Sequence, residues 1–145
     1  VLALAKKYPQ CIGIKEASGD FRHITRLIKE RPREDFAVIS GDDALTLPLI
    51  ASGCDGVISV IANALPKPFS AMVADALANN MAEAKETHLE LFELMHLIFE
   101  EQSPGGVKAL MQHLGICQAY MRLPLVPIEE GLKDRIVTAA KALKV

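Results

Sequence analysis

The sequence predicts an α/β fold on parallel strands, and three observations carry that prediction. Short, nearly continuous apolar runs recur at Cys11–Ile14, Phe36–Ile39 and Gly56–Val60. Each is followed by turn residues and then by helical periodicity, and strands alternating with helices in this way imply βαβ units rather than hairpins. From Met81 onward the periodicity is helical only.

Taken in order, Val1 to Tyr8 reads as the last turns of an amphipathic helix, stopped at Tyr8-Pro9 because proline cannot continue it. A chain that enters midway through a helix, without an initiator methionine, is expected to be a piece of something longer. The first strand, Cys11–Ile14, leads through Lys15 into the turn Ser18-Gly19-Asp20. Asp20 is a good N-cap for a helix over 21–31, with Ile24, Leu27 and Ile28 as its stripe and Pro32 as its stop. After the second strand, Ser40-Gly41-Asp42-Asp43 opens a helix over 44–52, and Gly53 closes it. The third strand precedes a helix over 66–78.

A long helix over 81–99 then presents Leu89, Phe92, Leu94, Met95, Leu97 and Ile98 as a broad apolar face. Ser103 as N-cap with Pro104 at the first helical position starts the next helix, which Gly115 ends. Leu123-Pro124-Leu125-Val126-Pro127 is a stiff connector into a last helix from Ile128 or Glu129 to Leu143. The Met and Leu stripes are core, not a cofactor box.

The totals exclude several classes. A chain of 145 residues suits one domain with a substantial core, and half its residues are hydrophobic. Sixteen basic residues scattered among eighteen acidic ones leave a net charge of −2, which argues against a nucleic-acid surface. No apolar run is long enough for a membrane span and no export signal opens the chain. Cys11, Cys54 and Cys117 fit neither a zinc spacing nor a disulfide framework. Free buried thiols in a reducing compartment, the cytoplasm, are expected. The four histidines form no metal motif, and no phosphate loop is present.

The residue with chemistry to offer is Lys15. Strand alternation puts Cys11, Gly13 and Lys15 on one face and Ile12, Ile14 and Glu16 on the other. Beside Lys15 that face carries only a thiol and a hydrogen atom, leaving room for a small ligand. A lysine at a strand end can simply reach water and do nothing. The alternative is a dry amine that attacks a carbonyl. An ordinary lysine amine is neutral only about once in 2,500 at pH 7, and burial raises that fraction. Parallel sheets place ligands at their C-terminal strand ends, where Lys15, Gly41 and Ser59 lie. Gly41 lets a ligand approach the backbone, and amides at the helix start can hold a carboxylate. Asp43 is read as a helix cap.

Gly13-Ile14-Lys15-Glu16-Ala17-Ser18-Gly19-Asp20, Ser40-Gly41-Asp42-Asp43, and Gly56-Val57-Ile58-Ser59-Val60 with Ala62-Asn63 together form a recognisable set. They resemble the 4-hydroxy-tetrahydrodipicolinate synthase (dihydrodipicolinate synthase) family, within the Schiff-base (class I) pyruvate aldolases that also include N-acetylneuraminate lyase. The resemblance continues through Val107-Lys108-Ala109-Leu110 and Arg122-Leu123-Pro124-Leu125. It implies the C-terminal half of a (β/α)8 TIM barrel, with strands six to eight in residues 1–79 and a three-helix C-terminal extension in 80–145. By the same resemblance, Lys15 forms a Schiff base with pyruvate, Gly41 and Asp42 line the pyruvate pocket, and the Ile58 main-chain carbonyl approaches the lysine. The resulting enamine attacks L-aspartate-4-semialdehyde, in diaminopimelate and lysine biosynthesis, with no cofactor and no metal. A homo-oligomer, a tetramer in the family, is implied, or pairing with an absent N-terminal half.

The family's tyrosine relay, its threonine partners and its semialdehyde-binding arginine belong to earlier strands, and Tyr8 and Tyr120 do not match the relay. This chain alone is therefore expected to be weak or inactive. Two rivals remain. One is another pyruvate lyase of the N-acetylneuraminate type, whose polyhydroxylated substrate wants more hydroxyl donors at the mouth than Leu45, Leu47 and Ile61 offer. The other is a non-catalytic assembly fragment.

Overall fold

The computed structural model describes residues 1–143. Its elements are α1 (Leu2–Lys7), β1 (Gly13–Glu16), α2 (Phe21–Lys29), β2 (Ala37–Ser40), α3 (Thr46–Ala51), β3 (Gly56–Val57), α4 (Pro66–Leu77), α5 (Met81–Leu97), α6 (Gly105–His113) and α7 (Glu130–Ala142), with a 3-10 turn at Ile61–Asn63 between β3 and α4. The strands form one parallel sheet in the order β1-β2-β3. Lys15 stands beside Ile39, and Ser40 beside Val57. Among the described residues this is a half barrel followed by a helical extension.

The predicted alternation of strand and helix is present, with shifted strand boundaries. The first strand begins two residues later than its apolar run, and Ile12 is 70% exposed ahead of it. The third strand keeps only Gly56 and Val57, because the Val60 and Ile61 amides turn onto the Asp43 carboxylate at 3.1 and 2.8 Å. Asp20 caps α2 as expected, accepting from the His23 amide at 3.0 Å. Pro66 opens α4, and Asn79, at φ 65, gives it a left-handed exit into α5. Helix α6 starts one residue later than expected, with Pro104 at its N-cap position.

Only one face of the sheet is covered. Ile14 and Val38 pack with Ala5, Ile24, Leu27, Phe36 and Leu49 in a cluster between the sheet, α1 and α2. On the other face Gly13 and Lys15 are exposed while Ala37 and Ile39 are half-buried. The first strand is thus covered on its Ile14 side alone, and the described residues supply no layer over the Lys15 side. Two arginines brace the covered side. Arg33 donates to the carbonyls of Ala5 (2.6 Å), Pro9 (3.0 Å) and Cys11 (2.7 Å), tying the β2 approach to α1 and the entry of β1. Arg31 pairs with Asp55 at 3.2 Å and donates to Gly53 O at 2.7 Å. Asp55 in turn accepts from the Val38 amide at 2.8 Å.

A larger cluster joins helices on both sides of residue 80, with Leu47, Ile50, Ile61, Phe69 and Met72 packed against Leu91, Leu94, Met95, Ile98, Leu110 and Ile136. Each such side chain contributes about 1.5–3 kcal/mol by leaving water. Gly106 lets α6 approach the end of α5, since a Cβ there would collide with the Ile98 main chain. The buried stripe of α5 is Ala84, His88, Leu91, Leu94, Met95 and Leu97. Leu89 and Phe92, expected on its inner face, are 62% and 47% exposed, one helical step outside that stripe. Cys54 is buried, but Cys11 and Cys117 are only half-buried, which corrects the reading of three buried thiols. No helix among the described residues is long and apolar enough to cross a membrane.

His88 is a buried polar residue on the inner stripe of α5. Its Nδ1 has no hydrogen-bond partner among the described residues, and its ring tilts against Phe92 at 5.9 Å between centroids. Burial holds the imidazole below its ordinary value near 6.5. Above that value neither state binds the proton. Below it the unfolded chain takes up a proton that the folded core resists, so stability falls with pH until the folded pKa is passed. The melting midpoint should therefore drop between about pH 7 and 5.5, and His88→Leu should flatten that drop. An unchanged slope in the variant would count against this role.

Candidate active site

The site is assembled from the turns that leave the three strands. After Lys15, the Glu16 carboxylate accepts from the Ser18 hydroxyl at 2.9 Å and from the Ser18 amide at 3.2 Å. Ser18 Oγ accepts from the Asp20 amide at 3.1 Å. Gly19 takes φ +74, so the chain swings from the strand end directly into α2.

Just past the end of β2, Gly41 lies close against the end of β1. Its amide donates to Glu16 O at 2.7 Å. A Cβ at Gly41 would overlap the Ala17 side chain and stand 3.0 Å from Lys15 Cε. The Lys15 stem therefore lies across Gly41, and only a hydrogen atom fits beneath it.

The residues after Gly41 are held by side chains. Buried Ser40 donates to Asp42 O at 2.9 Å and accepts from the Asp42 amide at 3.1 Å. The Asp42 carboxylate accepts from the Leu45 amide at 3.0 Å, and Thr46 Oγ1 donates to Asp42 O at 2.9 Å. The Asp42 carboxylate thus holds the turn ahead of α3, whose N-cap residue Leu45 makes no side-chain cap bond, and the expectation that Asp43 caps this helix is corrected. Asp43 is almost wholly buried. It accepts from Val60 and Ile61, and Ser59 hydrogen-bonds it as well. Burial raises its pKa, and those hydrogen bonds oppose the rise. The Ile58 amide donates to Ser40 O at 2.9 Å, which sets Ile58 beside the end of β2 with half its surface open.

Lys15, Gly41 with Asp42, and Ile58 therefore all occupy the C-terminal ends of neighbouring parallel strands, and Lys15 lies against Gly41. Three further expectations are corrected. Lys15 is exposed, not dry, because its face of the sheet has no covering layer here. The Gly41 and Asp42 amides, expected as a carboxylate cradle, already donate to Glu16 O and Ser40 Oγ. Leu47 and Ile61, expected to line the mouth, are core residues. A cavity of about 330 Å³ adjoins the Gly41–Asp42 turn, walled by Ala17, Phe92, Met95, His96 and Phe99, but neither Lys15 nor Ile58 lines it. The residue that sequence reasoning missed is Asp43 as a long-range tie. Its proximity to a second glycine-rich strand end was the available signal, and a helix start three residues away masked it.

The sequence pattern of the Dihydrodipicolinate synthetase family matches residues 1–143. The chain belongs to that family. A 4-hydroxy-tetrahydrodipicolinate synthase of Flavobacterium psychrophilum is 46% identical over 99% of this chain and 48% of its own length. The dihydrodipicolinate synthase structure from Thermotoga maritima superposes with a TM-score of 0.93 at 35% identity, covering 97% of this chain and 48% of that one. The chloride-inhibited dihydrodipicolinate synthase of Acinetobacter baumannii, complexed with pyruvate, gives a TM-score of 0.86 at 36% identity over 94% and 46%. The chain spans about half the length of the synthases it matches. Their likeness runs through the helical extension as well as the strands.

The contact at Gly41 makes a direct test of this geometry. Gly41→Ala should cost about 1–3 kcal/mol, since the new methyl must push apart two strand ends joined by a 2.7 Å hydrogen bond. Urea denaturation measures it. A variant as stable as the parent would show that the Lys15 stem and Ala17 move aside freely.

Proposed function

We propose that Lys15 is the Schiff-base lysine of a 4-hydroxy-tetrahydrodipicolinate synthase, with pyruvate as its first substrate. The observation that carries this is the Lys15 stem lying across Gly41 at the C-terminal edge of a parallel sheet, in a chain of the synthase family. The Acinetobacter baumannii relative, which was crystallised in complex with pyruvate, supports the choice of keto acid.

In this reading the neutral Lys15 amine adds to the C2 carbonyl of pyruvate. Loss of water leaves an iminium, and loss of a methyl proton turns it into an enamine. The enamine carbon attacks the aldehyde of L-aspartate-4-semialdehyde, whose oxygen takes up a proton. Cyclisation by the substrate amine expels Lys15 and releases the heterocyclic product. All steps are additions and eliminations, so no redox cofactor is needed. Gly41 and Asp42 form the wall against pyruvate, and the Ile58 carbonyl faces the reacting nitrogen. Residues 1–79 supply the barrel strands and the residues from 80 on the extension, of which 144 and 145 lie outside the described residues. The three free cysteines support a cytoplasmic setting.

Lys15 needs a dry surround to be neutral near pH 7, and in the described residues its face is open. We propose that the opposing layer comes from the remaining strands of the family barrel or from a second copy. The edges of β1 and β3 present unpaired backbone groups that favour such pairing. A second reading, an assembly piece without chemistry, draws on the same exposure of Lys15.

Borohydride reduction in the presence of pyruvate separates the two. A working amine traps one pyruvate as a stable secondary amine, mapped to Lys15 by peptide mass and absent in Lys15→Arg. No adduct in the assembled protein overturns the Schiff-base reading. The chain on its own should turn over orders of magnitude more slowly than a full-length synthase, since positioning and proton transfer each contribute heavily. Sedimentation should show self-association, and a single monomeric species would refute the pairing of open edges.

A further inference from the structure

A second opening lies between the 3-10 turn after β3 and the first turns of α6. Its volume is about 300 Å³, and Lys15, Gly41, Asp42 and Ile58 are not on its walls. Val60, Val107 and Met111 give it an apolar side, while Asn63, Ser103 and Lys108 give it a polar one. Lys108 is half-buried. Among the described residues it enters none of the ion pairs, and no acidic residue lines the cavity. The two acids nearest in sequence are engaged elsewhere: Glu100 pairs with Arg135, and Glu101 accepts from the Glu129 amide at 3.0 Å.

An ammonium partly withdrawn from water without a counter-charge attracts an anion. The backbone of Lys108 is held at the cavity wall, since its amide donates to Pro104 O at 3.0 Å in the opening turn of α6, and Gly106 seats that turn against Ile98. Its site at the start of a helix adds positive potential from the backbone. Asn63 donates from Nδ2 to Val60 O at 2.9 Å, which pins the amide group at the cavity wall. A volume near 300 Å³ is at the small end of ligand pockets.

We propose that this cavity binds a small aliphatic monocarboxylate, with the carboxylate on Lys108 and the tail against Val107 and Met111. The site is independent of Lys15 chemistry.

Cys117 lines the same cavity and reports on its occupancy, while half-buried Cys11, outside it, serves as control. Butyrate at constant ionic strength should slow iodoacetamide alkylation of Cys117 about tenfold at saturation and leave Cys11 unchanged. Butyramide, which keeps the tail and lacks the charge, should protect at least tenfold more weakly in concentration. Lys108→Gln should abolish the butyrate effect, and Lys15→Arg should retain it. Equal protection by butyrate and butyramide overturns the proposal without any variant, as does protection lost in Lys15→Arg. Parallel slowing of Cys11, or no saturable slowing of Cys117, overturns it too.

Discussion

The buried Asp43 carboxylate sets the geometry of the whole sheet rim. A charge-bearing group removed from water is tolerated only when its oxygens are well bonded, and here the donors come from a segment some seventeen residues along the chain. Holding those amides ends β3 after two residues and starts the 3-10 turn. It thereby sets where Ile58 can stand, beside Ser40. Asp42, one residue earlier, serves only its own turn.

Gly41 supplies the complementary constraint between the first two strands. Backbone and stem approach so closely that the contact sets the direction in which the lysine stem runs, across Gly41 on the uncovered face. The proposed chemistry needs this direction and also a roof that the described residues do not contain. The orienting and the drying of Lys15 are thus separate tasks. The orienting is done by local contacts at strand ends, and the drying requires a second layer.

The order of elements was legible because each rests on local chemistry. Asp20 as cap, Pro66 at a helix start and Gly115 at a helix end all act within a few residues. Lys15 and Gly41 stood out as candidates by their place at strand ends, whereas Ile58, and the grouping of all three, came only through the family resemblance, since they are far apart in sequence and ordinary in type. Leu89 and Phe92 misled because a helix with apolar residues on most sides does not reveal which stripe its neighbours will cover. Arg31, Arg33 and Asp55 gave no signal at all. Their partners are mostly main-chain carbonyls and amides, which no residue pattern marks.

Period and capping are properties of neighbouring residues, so the alternation of strand and helix, the helical second half and a lysine at a strand end could all be read along the chain. The crossing of that lysine over Gly41 and the tie that Asp43 makes between two strand ends emerge only on folding, as does the open face of the sheet. Those outcomes depend on groups brought together across the fold and on which layers are there to exclude water, and neither is encoded in any local stretch of chain.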